Sequence, residues 1–473
     1  MSNARALLVA LLLFVGVGAV HAAERLAPSC SRDDVGATVT AASPGDVVLI
    51  PAGTCSWAVG LAIDKPLTLR GAGQTATVLR DGVPKDSPTQ ANLILVDDAP
   101  GFRLTELTIE GQAQDPDVYN RGHVLIAGAT SGFRVDHVTF KDTVTVGVRS
   151  VGRSTGLVDH CTFDYDFHGG VDVWHDRWDG GSWGDTSWAT PSNFGSDDLV
   201  VIEDCAFINR ASGAGGFVGV QAGGRAVVRH NHVRADTFFL SGTDSAGRFR
   251  GGRHFEVYAN RMETNAPSLW TAIAVEGGTG VIFDNVVDSR FSSAVNLEVR
   301  RTVNTSAVWG RCNGSNPLDQ NSQPNGYACL DMVGRGQGAL LGGDTPMPAA
   351  WPQQPLEPVY LWNNTFDGGG LVRNGAPNFI AAGREYIVGT PKPGYVPFQY
   401  PHPLAVEPDA GVVDGGIGSI GPEPEGQARW LLLGCGCSSS SGLLLWLVPL
   451  ALVTRRRRSV RGDGDSLSTA RSD

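Results

Sequence analysis

The amino-acid sequence predicts an all-β fold, a parallel β-helix, on three observations. A six-residue pattern of apolar and polar positions recurs eight times. Short apolar segments punctuated by Gly lie between its copies. Helical periodicity is nearly absent from the middle of the chain. Short strands at a regular period, without helices between them, indicate a solenoid whose coils stack on their neighbours.

The bulk composition limits the classes of protein to which the chain can belong. Its 473 residues include 62 Gly, and the formal net charge is −11. An acidic surface repels the phosphate backbone, so we expect no nucleic acid as a partner. The length suits one large domain or two to three ordinary ones.

The N-terminus predicts export. Arg5 precedes an apolar run over residues 6–20, and the small residues Ala22 and Ala23 follow it. A charged start, an apolar stretch and small residues are the pattern of a secretory signal peptide, which we place at residues 1–23. The run is too short to span a membrane as a helix.

The cysteines agree with an oxidising compartment. Cys30 and Cys55 flank one N-terminal unit, and Cys312 and Cys329 flank a loop rich in Gly, Asn and Pro. We predict a disulfide in each pair, because exported proteins retain them. No pair has the CxxC spacing of a zinc site.

The repeat is the strongest signal for the fold. Its starts are mostly 23 to 31 residues apart, and two longer steps mark insertions. The eight copies are LTELTI (104–109), VDHVTF (135–140), VDHCTF (158–163), IEDCAF (202–207), VRHNHV (228–233), VYANRM (257–262), IFDNVV (282–287) and LWNNTF (361–366).

The fourth position of the repeat predicts a column of stacked side chains. Along the chain it reads Leu107, Val138, Cys161, Cys205, Asn231, Asn260, Asn285 and Asn364. Neighbouring strands are about 4.8 Å apart, so buried Asn amides on successive coils can bond to one another. The two cysteines fit stacked thiols better than a disulfide, which neighbouring in-register strands rarely allow. The third-position His137, His160 and His230 are expected to be exposed or turn residues rather than ligands.

Two stretches resemble a known superfamily. GDVVLIPAGTCSW (45–57) and KPLTLRGAG (65–73) resemble the first turns of right-handed parallel β-helix proteins of the pectate-lyase-like superfamily. GRFRGGRHFEVYAN (247–260), YLWNNT (360–365) and the block at 384–404 are similar to secreted bacterial β-helix proteins. The resemblance implies a β-helix domain over 24–404, with an N-terminal capping helix at 34–42. The fold hosts lyases, hydrolases, epimerases and non-enzymes, so it implies no single reaction.

The C-terminal part is predicted to hold the domain at the cell surface. Residues 405–429 are rich in Gly, Pro and acidic residues, which indicates a flexible linker. Residues 430–473 contain Cys435 and Cys437, an apolar stretch and an Arg cluster, and they resemble the MYXO-CTERM sorting tag. That resemblance implies processing by sorting machinery of the envelope and display on the outer membrane. A simple C-terminal membrane anchor is the alternative.

An insertion at about 175–197, together with a disulfide loop at about 310–357, interrupts the regular coils. Indole rings can cover the apolar face of a sugar while Asp or Asn bonds its hydroxyls, which predicts a sugar-binding groove here. The alternative is that the Trp residues pack the insertion against the coil. The predicted substrate-binding residues are Trp174, Trp178, Trp183, Trp188, His168, His175 and Gln221.

Two reactions are compatible with the polar residues of this region. A lyase needs a cation and a base: Asp172, Asp176 and Asp244 could hold Ca²⁺, with Arg248 or Arg250 as the base. A hydrolase needs two carboxylates, and Asp172 with Asp244, or either with Glu276, would supply them. Further residues predicted on this face are Arg253, Glu298 and Arg300.

The sequence therefore predicts an exported surface protein that binds extracellular polysaccharide, and whether it also cleaves the polysaccharide, by β-elimination or hydrolysis, is left open by the sequence. A non-catalytic adhesin or structural rod is the competing hypothesis, since solenoids offer long surfaces. A secreted protease or esterase is disfavoured, because no GxSxG or HExxH spacing occurs.

Overall fold

The computed structural model describes residues 22–85, 92–111, 122–143, 145–166, 169–180, 183–211, 216–243, 249–266, 268–299, 301, 312, 329–338 and 354–406. They belong to one compact unit, Met1–Ala410. The signal peptide up to residue 21, the linker from residue 407 and the sorting cysteines Cys435 and Cys437 lie outside them. Within these described ranges, no helix is long and apolar enough to cross a membrane.

The predicted parallel β-helix is confirmed. In the described part of the chain, thirty strands pair in parallel and form three faces of a solenoid. Face A consists of β1 (Glu24–Leu26), β2 (Val47–Leu49), β5 (Thr68–Arg70), β8 (Arg103–Glu110), β10 (Ser131–Thr143), β12 (Thr155–Asp159), β15 (Val200–Glu203), β18 (Arg225–Arg229), β21 (His254–Tyr258), β24 (Thr279–Phe283), β27 (Val359–Trp362) and β30 (Tyr386–Val388).

Face B follows face A along each coil, and the long strands β8 and β10 turn the corner to contribute to both. Its other strands are β3 (Gly53–Trp57), β6 (Thr77–Asp81), β13 (Thr162–Tyr165), β16 (Ala206–Asn209), β19 (His232–Arg234), β22 (Arg261–Glu263), β25 (Val286–Val287) and β28 (Thr365–Phe366). Face C is the separate ten-stranded sheet of β4 (Leu61–Ile63), β7 (Ile94–Asp97), β9 (Val124–Ala127), β11 (Val148–Ser150), β14 (Val171–Trp174), β17 (Val218–Gln221), β20 (Phe238–Leu240), β23 (Ile273–Val275), β26 (Val295–Leu297) and β29 (Val372–Asn374).

The hexameric repeat forms the corner between faces A and B. Its third residue has a left-handed backbone in all eight copies, with φ between 49° and 58°. That conformation reverses the direction of the chain and points the third side chain outward, away from the core. The eight residues are Glu106, His137, His160, Asp204, His230, Ala259, Asp284 and Asn363.

The predicted asparagine column is confirmed. The side-chain amide nitrogen of Asn231 donates to Oδ1 of Asn260 at 3.0 Å, and Asn260 donates to Asn285 at 3.0 Å. Asn285 continues the column to Asn364 at 2.9 Å. Cys161 and Cys205 are buried, unbonded thiols, as predicted. Position six adds a stack of Phe140, Phe163 and Phe207, whose ring centres are 4.8 and 4.7 Å apart.

The N-terminal end carries helix α1 (Arg32–Ala41), close to the predicted 34–42. Ser31 caps it by accepting from the backbone N–H of Asp34 at 3.2 Å. Val35 and Val39 bury their side chains in the core of the solenoid. Both predicted disulfides, Cys30–Cys55 and Cys312–Cys329, are formed.

A segment at residues 389–405, here called the strap, covers the outer side of face A. Tyr395 donates its hydroxyl proton to Glu256 at 2.6 Å, and the backbone N–H of His402 donates to Glu203 at 2.8 Å. Arg229 donates to the carbonyl oxygens of Phe398 and Gln399, each at 2.7 Å. A 3₁₀ turn at Pro403–Ala405 ends the strap near β12.

The strap closes a second, smaller apolar layer outside face A. Tyr258, Phe283 and Trp362 stack there at ring separations of 4.5 and 4.4 Å, and Tyr395 packs its ring edge against Phe283. Face A is therefore covered along this stretch.

Candidate functional site

The insertion between β14 and β15 packs against the solenoid through two of its tryptophans. Trp178 and Trp188 are only 1% and 0% exposed. The indole N–H of Trp188 donates to the carbonyl of Gly251 at 2.8 Å, and the guanidinium carbons of Arg250 and Arg253 lie 5.1 and 5.2 Å from its ring centre. The prediction that these two rings stack on sugars is wrong, because neither ring face reaches solvent.

Arg225, on strand β18, holds the insertion against the solenoid. Its guanidinium donates to the carbonyl oxygens of Ser187, Thr190 and Pro191 at 2.6, 3.0 and 2.9 Å, at the end of helix α2 (Asp185–Ala189). Carbonyl groups at the end of a short helix have few backbone donors. Among the described residues at this helix end, only the carbonyl of Ser187 also accepts from a backbone N–H, that of Thr190 at 3.2 Å, so the buried cation supplies the further hydrogen bonds. Burial, reinforced by the charge of nearby Arg253, lowers the pKa of Arg225 to about 9.

Arg250, predicted as a catalytic base, is a structural residue. It is 1% exposed, and it donates to both carboxylate oxygens of Asp331 at 2.9 and 2.6 Å. Arg253 is also buried and donates to Glu357 at 3.3 Å. A guanidinium that is sealed from solvent and paired with a carboxylate cannot accept a proton from a substrate, so the prediction for Arg250 is wrong.

His175 does not contact a substrate either. It is fully buried, and burial together with the charge of Arg225 lowers its pKa to about 3, so it stays neutral. The prediction that it binds substrate is therefore wrong. Asp176 is half-buried at the start of the insertion. The other predicted residues of this region, His168, Asp244, Arg248 and Arg300, lie outside the described residues.

Calcium binding stays a prediction. Within the part of the chain that the structure describes, no three carboxylate, imidazole or thiol side chains come together as a group that could hold a metal ion. Asp172 and Asp176 are inside that part, whereas Asp244 is not.

The outer side of face C brings several predicted residues into two rows. Strand register aligns the first row directly, and alternation of side chains points it outward. Its members are Arg149, Asp172, Gly219, Phe239, Ala274, Asn296 and Arg373. The second row lies two residues further along the strands. Its members are Trp174, Gln221, Ser241, Glu276 and Glu298.

Aromatic rings flank the start of the two rows. Trp174 and Trp183 each pack edge-on against Phe249, with ring centres 4.9 Å apart, and all three are half-buried. The guanidinium carbon of Arg149 lies 4.0 Å from the ring centre of Trp174. Half-buried rings beside polar side chains match the surface that a sugar needs, and Trp174, Trp183 and Gln221 remain predicted substrate contacts.

The second row ends in a pair of carboxylates on neighbouring strands. Val275 of β23 pairs with Leu297 of β26, so Glu276 and Glu298 follow at the same level, with Cα atoms about 5 Å apart. Glu276 is 3% exposed and accepts from the backbone N–H of Gly242 at 3.2 Å, whereas Glu298 is half-buried. The two glutamates therefore lie on adjacent strands, at the same level of the second row.

The carboxylate pairs predicted from the sequence are different. Asp172 and Glu276 are separated by three strand spacings, about 14 Å along the axis of the solenoid, and they also lie in different rows. Glycosidase carboxylates act at roughly 5 to 10 Å, so the pairing of Asp172 with Glu276 is wrong. Glu276 stays a predicted site residue, and the acidic residue that follows the adjacent strand is Glu298.

Sequence reasoning missed two polar residues of these rows. Asn296 donates to Glu298 at 3.2 Å, while its own Oδ1 and the hydroxyl of Ser241 are buried without a hydrogen-bond partner among the described residues. Both stand beside the carboxylate pair, where a substrate hydroxyl could satisfy them. The signal was present in the motif VNLE at 295–298, in which polar residues alternate with the apolar residues of the core.

Comparison with known proteins identifies similar solved structures. An alginate lyase from Paenibacillus sp. str. FPU-7 is 15% identical, with a TM-score of 0.37 over 74% of this chain and 98% of its own. A mannuronic acid specific polysaccharide family 6 lyase from human gut microbiota is 16% identical, with a TM-score of 0.36 over 58% of this chain and 66% of its own. The catalytic domain of a GH87 alpha-1,3-glucanase is 10% identical, with a TM-score of 0.35 over 78% and 68%.

No protein-family model and no curated protein matches the chain. At these identities and TM-scores, the solved structures assign no reaction to it. Its chemistry has to be inferred from its own side chains.

Proposed function

We propose that the chain is a carbohydrate-active enzyme that binds a polysaccharide along the two rows of face C and hydrolyses it with Glu276 and Glu298. The observation that carries the proposal is the position of these two carboxylates on adjacent strands, at the end of a polar row that begins with an indole ring. A long substrate fits a solenoid because equivalent positions repeat along its axis at every coil.

The chemistry divides between the two carboxylates. One carboxyl group protonates the oxygen of the leaving sugar, and the other carboxylate attacks the anomeric carbon or activates a water molecule. Asn296 supports Glu298 by donating its amide N–H to Oε2, which orients the carboxylate toward the row. Trp174 and Gln221, further along the row, would hold a neighbouring sugar unit.

The test uses the purified full-length chain with a panel of neutral and uronic-acid polysaccharides, with and without Ca²⁺, and analyses the products by mass. We expect saturated fragments. Glu276→Gln and Glu298→Gln should each lower the rate by about 10² to 10⁴-fold, which is the usual contribution of an acid–base group. Glu263→Gln is the matched control, since that carboxylate lies on face B, outside the rows.

The outcomes separate the competing hypotheses. Unsaturated fragments that appear only with Ca²⁺ would contradict hydrolysis and direct attention to β-elimination around Asp172. Binding that Trp174→Ala weakens, without any product, would instead support a non-catalytic adhesin. Full activity in both Glu→Gln variants would remove the carboxylate pair from the mechanism.

We further propose that the mature chain is exported and held at the cell surface by its C-terminal segment. The support is the pattern of residues 1–23 and the Cys435 and Cys437 motif ahead of an apolar stretch and an Arg cluster. Fractionation of cells that produce the full chain or a chain truncated after residue 429 tests this directly. Surface display of both forms would contradict the anchoring role.

A further inference from the structure

The outer corner between faces A and B carries a column of side chains that the proposed function does not use. The third residue of each hexamer lies there, one strand spacing from its equivalent on the next coil. In chain order, four successive members are Glu106, His137, His160 and Asp204. Each has a left-handed backbone, so each side chain leaves the corner in a similar direction.

His137 and His160 are stacked in this column. Their rings are 5.2 Å apart between centres and inclined by only 8°. Both side chains are about half exposed, at 50% and 47%. Two parallel imidazoles on adjacent coils can thus meet the same solvent-borne ion.

Each imidazole is oriented by the acidic residue that precedes it. Nδ1 of His137 lies 2.9 Å from Oδ2 of Asp136, and Nδ1 of His160 lies 2.9 Å from Oδ2 of Asp159. A carboxylate only accepts hydrogen bonds, so the proton of each neutral ring is on Nδ1. Nε2 then presents its lone pair, and neither Nε2 has a hydrogen-bond partner among the described residues.

The two carboxylates are themselves held in place by arginine side chains. Arg103 donates twice to Asp136, at 2.7 and 2.8 Å, and Arg134 donates twice to Asp159, at 3.0 and 2.9 Å. A fixed carboxylate behind an imidazole is the second shell that tunes histidine ligands in metal sites.

We propose that Nε2 of His137 and Nε2 of His160 together bind a divalent transition-metal ion, such as Zn²⁺ or Ni²⁺, on this corner. Imidazole suits these ions, and both rings have the exposure to tilt toward one centre. No third ligating side chain groups with them in the described part of the chain, so water completes the coordination. The site is independent of the two rows on face C.

The experiment titrates the metal-free full chain with Ni²⁺ and, separately, with Zn²⁺ by calorimetry. The variants are His137→Asn and His160→Asn, because Asn363 already occupies the same left-handed position on another coil. The control is His232→Asn. That imidazole has similar exposure, 49%, but its Nε2 is engaged by Glu263 and it lies on face B.

We expect the full chain to bind one equivalent that each of the first two variants binds about tenfold or more weakly, since even losing an outer partner of a ligand costs roughly 10 to 100-fold. The His232→Asn chain should bind like the unmodified chain. Unfolding curves recorded without metal should coincide for all chains, which would show that the variants fold. Unchanged binding in both corner variants, or equal loss in His232→Asn, would overturn the proposal.

Discussion

Replacing Asn260 by Ala should destabilise the coil that contains residue 260 and the coils beside it. Asn260 is 1% exposed and takes part in hydrogen bonds above and below its own coil. Its amide nitrogen donates to Asn285 Oδ1 at 3.0 Å and to the carbonyls of Val228 and Tyr258 at 2.9 and 3.0 Å. Its Oδ1 accepts from both the backbone N–H and the side-chain amide of Asn231, each at 3.0 Å.

The magnitude follows from what the substitution leaves behind. The side-chain amide of Asn231 keeps two carbonyl acceptors, Ile202 and Arg229, so it stays satisfied. The backbone N–H of Asn231 loses its acceptor and stays buried, which costs about 1 to 3 kcal/mol. The three lost bonds, to the carbonyls of Val228 and Tyr258 and to Asn285, add about 1 kcal/mol each at most, so we expect roughly 1 to 6 kcal/mol of local destabilisation.

Hydrogen exchange of the folded protein is the appropriate assay, because a solenoid opens locally and its coils couple mainly to their neighbours. Protection should fall at Asn231 and at the coils beside residue 260, while the N-terminal coils around helix α1 keep theirs. Cys161→Ala is the matched control, since it removes a weak donor from the same column and should change protection little. Native protection in Asn260→Ala, or an equal loss in Cys161→Ala, would refute the role of the amide column.

Two other predictions concern buried ionisable groups. Arg225→Met should lower the free energy needed to detach the insertion by about 3 kcal/mol, because three carbonyls at the end of its helix lose a cationic donor. Limited proteolysis within residues 175–199 should then become roughly 100-fold faster. An unchanged rate would contradict this. Burial raises the pKa of Asp236 from 3.8 to about 6, in spite of hydrogen bonds that its carboxylate accepts from Tyr165 and others. The protonated carboxyl group therefore stabilises the folded state fully below about pH 4, and this stabilisation is lost as the pH rises through 6. Asp236→Asn should therefore remove about 3 kcal/mol of pH dependence from unfolding between roughly pH 4 and 6, and an unaltered pH profile by urea denaturation would count against it.

The architecture could be predicted from the sequence because successive coils of a solenoid repeat the same pattern of apolar and polar positions. The change from apolar to Cys to Asn at the fourth hexamer position could be interpreted directly as stacking, and the structure contains that column. The left-handed third position was not predicted, because Glu, His, Asp, Ala and Asn all occupy it. Its conformation is imposed by the corner rather than by residue type.

The site could be predicted only in part. Asp172, Trp174, Gln221, Glu276 and Glu298 share one face, as expected, because strand alternation fixes which side chains point outward. Which of them are neighbours depends on the number of strands between them. That number requires knowing which strand belongs to which coil, and the insertions obscure this in the sequence. The insertion was harder still, since Trp-rich loops have similar composition whether their rings pack inward or bind sugar.

The position of the strap determines the order in which contacts would break if the C-terminal side of the domain were pulled. It leaves the last coils at β30 and runs back along the axis, contacting Glu256, Arg229 and Glu203 in turn before it ends beside β12. Tension applied beyond Val406 would act first on the bonds at His402 and Arg229, and it would peel the strap from that end, one contact at a time. The strands of face A would bear the load only after the strap had detached, so detachment of the strap would protect the coils, and with them the two rows on face C, from the first part of the load.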